Sequence, residues 1–159
     1  MKRLLLVSLF FAVRAFALDA NAITPANVTA LMNQYRADAG LPPLRIDPSL
    51  TAAAEARMRE MAEGEWWGHE APDGTPPFVH IPIDYDYAFA AENLAAGFDT
   101  AGVLVLSWME SPGHRANILG AKYADCGIAI LDGSTKGPST GQSIVVLFGR
   151  RKVQMVSAR

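Results

Sequence analysis

The side chains that could do chemistry gather in twelve positions, Trp108 to Leu119, reading WMESPGHRANIL. A carboxylate (Glu110), an imidazole (His114) and an amide (Asn117) stand there between apolar anchors. Pro112 lacks an N–H and cannot continue a helix from upstream. It suits the first turn of a new helix instead, with Ser111 before it as the N-cap. His114 then falls at the third helical position, among free backbone N–H groups at the positive end of the helix dipole. That end disfavours imidazolium, so a neutral His114 is expected near pH 7, able to ligate a metal or accept a hydrogen bond. Glu110 and His114 are four apart, but the break at Pro112 means that they need not share a helix face. They could meet across the corner. The plainer alternative is a solvated surface acid and a capping residue.

Two further places carry polar groups that ought not to be stray. Glu92-Asn93 lies inside the otherwise apolar run Ala88 to Ala96. An ionised group is costly to bury unpaired, so the pair must face a polar cleft or meet a base. His69 follows Gly68 in a stretch rich in glycine, proline and aromatics. On its own it fits a loop hydrogen-bonder as well as a ligand. His80, between Val79 and Ile81, reads as structural. Cys126 is the only cysteine; no internal disulfide can form, and a small core residue is expected there rather than a nucleophile. With Ser111 engaged as a cap, no nucleophile stands out.

The elements that must position these groups follow from caps and periodicity. Thr24-Pro25 opens a helix with Val28, Leu31, Met32 and Tyr35 on one face, and Gly40 closes it. Leu41-Pro42-Pro43-Leu44 is a stiff linker. Asp47-Pro48 repeats the capping device for a second helix to about Glu63, with Leu50, Ala54, Met58 and Met61 as its apolar stripe and Gly64 as its stop. Residues 64–87 read as a long loop whose five aromatics must lie against the body of the domain. Asp99-Thr100 can cap a helix over Ala101–Met109, although Val103 to Leu106 fits a buried strand equally well. Cys126 to Leu131 and Ser143 to Phe148 read as an antiparallel pair joined by a polar, glycine-rich loop. The basic tail from Arg150 to Arg159 is expected to fray.

Length and composition agree with one globular domain, over residues 24–149: 159 residues, 50% hydrophobic and 19% charged. Ahead of it, Met1-Lys2-Arg3, the apolar run Leu4–Val13 and Ala15-Phe16-Ala17 have the form of a cleaved signal peptide, residues 1–17. A second Ala-x-Ala places the cut as late as Ala22. The run is too short to span a bilayer, and no transmembrane segment follows it. The destination is thus the periplasm or the medium. Cleavage after Ala17 leaves 11 basic residues against 16 acidic ones, a net charge of −5. That argues against nucleic acid as a partner.

In order and spacing, Gly68-His69, Glu92-Asn93-Leu94-Ala95 and Ser111 to Leu119 resemble the CAP superfamily (cysteine-rich secretory proteins, antigen 5 and pathogenesis-related protein 1), above all its bacterial SCP-domain branch. Asn33-Gln34-Tyr35-Arg36, Gly40 to Leu44, Tyr123 to Ile130 and Val145 to Gly149 fit the same pattern, over about residues 28–149. The resemblance implies an α+β fold, a three-layer α-β-α sandwich with a small antiparallel sheet, and helix over Ala101–Met109. It further implies an open cleft lined by His69, Glu92, Glu110 and His114, in which the histidines hold a divalent metal such as Zn2+. Glu110 is the member that departs from the family pattern. Two neutral imidazoles and one or two carboxylates suit zinc and leave positions open. Two functions compete: a secreted, non-catalytic protein binding a lipid, glycan or peptide from the envelope or a host, and a zinc-dependent hydrolase with Glu92 as general base. A third reading makes the polar trio a brace for the sheet and nothing else.

Overall fold

The computed structural model describes residues 21–133 and 141–153. The expected signal peptide, most of the loop joining the last two strands and the end of the tail lie outside the described residues. The two proline-led helices form where their caps put them. Helix α1 spans Pro25–Asp38, and the Thr24 side chain accepts from Asn27 N at 3.1 Å. Helix α2 spans Pro48–Glu63, and Asp47 accepts from Ser49 N and Leu50 N at 2.8 and 3.2 Å. Between them Arg45–Ile46 forms a short strand, β1. The apolar run around Glu92 is the strand β2, Tyr87–Phe98. Helices α3 (Ala101–Glu110) and α4 (Pro112–Ile118) follow, then strands β3 (Asp125–Asp132) and β4 (Gln142–Arg151).

The sheet runs β1-β3-β4-β2. β4 pairs antiparallel with both neighbours, as expected, but β1 pairs parallel with β3, so the sheet is mixed. The stiff Pro42-Pro43 linker lays the chain along β3, where Arg45 N donates to Ala124 O and Asp47 N to Cys126 O. Helices cover both faces. On one, Val28, Met32, Leu104, Trp108 and Ile118 pack against Ile144, Val146 and Phe148; on the other, Leu50, Met58, Met61 and Tyr85 pack against Val145 and Leu147. Successive residues of β4 thus enter opposite cores, which is why that strand is apolar without alternation. This is the three-layer α+β sandwich. The ambiguous stretch Val103–Leu106 is helix: Leu104 and Val105 are buried while Val103 and Leu106 remain exposed, and apolar residues on the outer face had hidden the period.

Two details differ from expectation. Ser111 occupies the N-cap position of α4, but its side chain makes no capping hydrogen bond. It also ends α3, with its N–H bound to Trp108 O, and its conformation serves the turn between two helices rather than one cap. β4 continues past Gly149, and Arg151 and Lys152 are tied by Asp47 and Asp86 at 3.1 and 2.6 Å. The tail is therefore held as far as Lys152.

Buried Arg36 anchors the α1 face to the end of α4. It donates to the carbonyls of Pro42, Ile118, Gly120 and Tyr123 at 2.8, 2.8, 3.1 and 3.2 Å. On the other face, α2 begins directly over Gly127 of β3. A methyl group there would run into the backbone of Leu50 and Thr51, which no rotamer change can relieve. Gly127→Ala is expected to cost about 3 kcal/mol or more through overpacking. Urea denaturation checks it; a loss below about 1 kcal/mol would contradict this close approach.

Candidate functional site

The site is built outward from α2. Its buried face includes Ala53, Ala54, Arg57, Met58 and Met61, so a guanidinium enters the core with the apolar stripe. Arg57 is fully buried and finds acceptors in three segments. Its Nη1 donates to Glu60 at 2.9 Å, its Nε to Glu92 Oε2 at 3.3 Å, and its Nη2 to the carbonyls of Gly68 and His69 at 3.1 and 2.7 Å. The ring of Trp66 lies against it, 4.7 Å from Cζ. This cluster fastens the start of the loop 64–87 to the helix and to β2.

Glu92 is 5% exposed and has both oxygens engaged. Oε2 meets Arg57, and Oε1 meets His69 Nδ1 at 2.8 Å. Burial pushes its carboxyl pKa up, outweighing the opposite pull of His69 and Arg57. The His69 side chain stays 57% exposed. With Nδ1 on the carboxylate, its Nε2 is the ring atom left for a ligand. A carboxylate orienting a histidine in this way is the usual support for a metal-bound imidazole.

His114 comes from α4 on the other side of β2. Asn93 Nδ2 donates to His114 O at 3.2 Å, and Asn117 Nδ2 donates to Asn93 Oδ1 at 2.9 Å and to Glu92 O at 3.2 Å. The two amides bind the helix to the strand and set the depth of the imidazole, which lies 6.3 Å from the Trp108 ring. The His114 pKa is lowered, first by burial and then by the nearby charge of His69. That direction agrees with the neutral ring expected near pH 7, and burial is its first cause. The influence of His69 places the two imidazoles within electrostatic reach of each other.

Glu110 stands apart. It is the last residue of α3, exposed, and among the described residues it meets neither His114 nor any other polar partner. No group of three or more His, Cys, Asp or Glu side chains among the described residues is placed to hold a metal ion. Of the expected set, the structure joins His69 to Glu92 and leaves Glu110 apart. Cys126 is buried, and its thiol is pushed up to about 11, first by that burial. It is a core residue.

Sequence reasoning passed over Arg57, and over Glu60, which binds both Arg57 and His80 Nε2 at 2.9 Å. Burial alone would raise the Glu60 pKa, but the hydrogen bonds from His80 and Arg57 overcome it and lower the value. The available signal was a cation on the buried side of an apolar stripe, a place from which charge is normally absent unless paired.

Arg57→Met would leave the Glu92 carboxylate buried with no cation, an expected loss of about 3–5 kcal/mol. Hydrogen exchange should then accelerate first at residues 66–69; unchanged protection there would show that the loop is held by something else. The pH dependence of His114 has a definite sign. Its folded pKa lies below the ordinary 6.5, so the unfolded chain binds more protons between the two values. The stability it contributes is complete above 6.5 and lost as pH falls through that window. In EDTA, the melting temperature of a His114→Gln variant should therefore gain on the unaltered protein between pH 7 and pH 5.

Residues 29–147 match the family described as CAP, the cysteine-rich secretory protein family. The chain is 34% identical over 106 residues to the protein YkwD of Bacillus subtilis (strain 168), covering 66% of this chain and 41% of that protein. It thus spans about two-fifths of that relative's length. In structure it is similar to an outer surface protein of Borrelia burgdorferi, with a TM-score of 0.66, 26% identity, and 79% and 90% of the two chains covered. An extracellular SCP-domain protein of Bacillus anthracis shares the fold at a TM-score of 0.65 and 20% identity, over 81% of this chain and 44% of that one. The family match over residues 29–147 and the bacterial relatives in sequence and structure agree: the chain belongs to the cysteine-rich secretory protein family, on its bacterial SCP-domain branch.

Proposed function

We propose that this chain is an exported, non-catalytic binding protein. The hollow between His69 and His114 holds a divalent metal such as Zn2+ weakly and accepts a lipid, glycan or peptide from the envelope or a host. The engagement of Glu92 carries this reading. A general base must be within reach of the attacking water, whereas the Glu92 side chain is 2% exposed and lies between Arg57 and His69. The carboxylate orients a ring; it does not face a substrate. A bound metal would supply Lewis acidity and a point of attachment for an anionic or carbonyl group. The chain's own contribution is to keep His114 neutral, to hold the His69 tautomer and to leave coordination positions open.

Export is supported by the basic start, apolar run and Ala-x-Ala at the N-terminus. It is supported also by the descriptions of two structural neighbours as an outer surface protein and an extracellular protein. No helix among the described residues is long and apolar enough to cross a membrane. The hydrolase reading keeps one supporting observation, the raised pKa of Glu92, on a carboxylate that is itself buried.

Titration calorimetry with zinc tests the metal. Two-imidazole coordination predicts modest affinity, lowered by about tenfold or more in His69→Ala and abolished in the double variant with His114→Ala. Zinc affinity unchanged in that double variant would remove the metal from the proposal.

A further inference from the structure

The sheet leaves one stretch of backbone without a partner, two residues before Glu92 and its contact with His69. β2 is an edge strand. Opposite Ala90 lies Gly149 of β4, whose carbonyl accepts from Ala124, on the β3 side. Antiparallel strands turn successive residues alternately toward one neighbour and the other. Ala90 therefore directs its N–H and C=O away from β4, over the free edge. By the same alternation Glu92 and Leu94 point outward, and their carbonyls are covered: Asn117 Nδ2 lies 3.2 Å from Glu92 O and Trp108 Nε1 3.1 Å from Leu94 O. The Ala90 side chain packs on the α2-side core, but no side chain among the described residues hydrogen-bonds its outward N–H or C=O. The edge is closed by side chains along one half and open along the other.

The open half is flanked by two different surfaces. On the α2 face, Phe78 and Tyr87 meet edge to face at 6.4 Å and line a cavity of about 420 Å³ together with Ile83, which is 98% exposed. The register shifts between Tyr87 and Phe89, and on the opposite face Phe89 is 45% exposed, with Lys122 Nζ 5.6 Å from its ring and Arg150 as its strand partner. Among the described residues neither Lys122 nor Arg150 has an acidic partner. From Tyr87 to Glu92 the strand advances roughly 16 Å, the length of a short extended peptide.

We propose that this edge is a peptide site: an extended chain pairs with β2 at Ala90, sets an apolar side chain in the Phe78–Tyr87 cavity and its acidic neighbour against Lys122 and Arg150, and continues into the His69–His114 hollow. Adjacent strand residues point to opposite faces, which matches a mainly apolar cavity on one side, where Asp86 and Lys152 neutralise each other, and a basic surface on the other. A paired N–H and C=O at an exposed edge is satisfied by another backbone; a lipid tail or a sugar ring offers no such repeat. This deepens the reading of the hollow as a binding site and does not depend on its metal.

The test is fluorescence anisotropy with a labelled, end-capped hexapeptide of alternating leucine and aspartate, in EDTA and again with zinc. Saturable binding is expected, and methylating alternate backbone nitrogens of the peptide should weaken it by about tenfold or more. Ala90→Pro should weaken it as much while leaving the melting temperature within about 3 °C, because an outward N–H takes no part in the ladder. Lys122→Glu should lower affinity for this peptide and raise it for the leucine–lysine counterpart. No saturable binding, or equal binding of the methylated and unmodified peptides to the unaltered protein, would overturn the proposal whatever the variants do. Peptide binding retained in EDTA by a protein that fails to bind zinc would remove the metal reading alone. Zinc binding without peptide binding would remove this proposal alone.

Discussion

A guanidinium taken out of water must be surrounded by acceptors, and Arg57 imposes that condition on half of the molecule. Desolvating such an ion costs several kcal/mol, recovered only when its donors are satisfied in good geometry. One helix cannot supply the acceptors. Arg57 draws them from Glu60 on its own helix, from Glu92 on β2 and from two carbonyls of the following loop. A loop full of glycine and proline, with little regular structure of its own, is thereby given one position. His69 inherits its place from that arrangement.

The opposite face repeats the device with different partners. Arg36, equally buried, has no carboxylate and is satisfied by four backbone carbonyls, among them Ile118 and Gly120 at the end of α4. Carbonyls at a helix C-terminus carry the negative end of its dipole, which suits a cation. One arginine thus secures the segment bearing His69 and the other the helix bearing His114, with the sheet between them. The Asn93–Asn117 pair completes the frame by fixing α4 against β2. Neither histidine depends on a disulfide for its position. In a chain with a single, buried cysteine, these charged and amide contacts, together with two apolar cores, are what hold the open side of the sheet in register.

The edge of β2 shows how the same frame limits access. Long unpaired edges invite uncontrolled strand pairing, and proteins commonly blunt them. Here Asn117 and Trp108 cover the carbonyls of Glu92 and Leu94, so the residues that carry the family pattern also close the strand. The aromatic loop is partly core and partly surface. Trp66, Trp67 and Phe78 pack on the α2-side cluster and Tyr85 is fully buried, while Ile83 and Val79 face solvent.

Local chemistry sufficed to read the proline-led helices, the caps at Thr24 and Asp47, the strand pair Cys126–Leu131 and Ser143–Phe148, and the need of Glu92 for a partner. Each depends on residues within a few positions of one another or on the cost of burying a charge. The family pattern added the layers and the meeting of His69 with Glu92. The partner of Glu92 could not be read, because Arg57 lies 35 positions away and only the packing of α2 on β2 turns it inward. Glu110, the member that departs from the family pattern, stands apart because the bend at Ser111 decides where that carboxylate points. Caps and periodicity are short-range and leave a mark in the chain. The direction of a buried side chain is set by whichever distant segment can satisfy it, and that is decided only when the layers close.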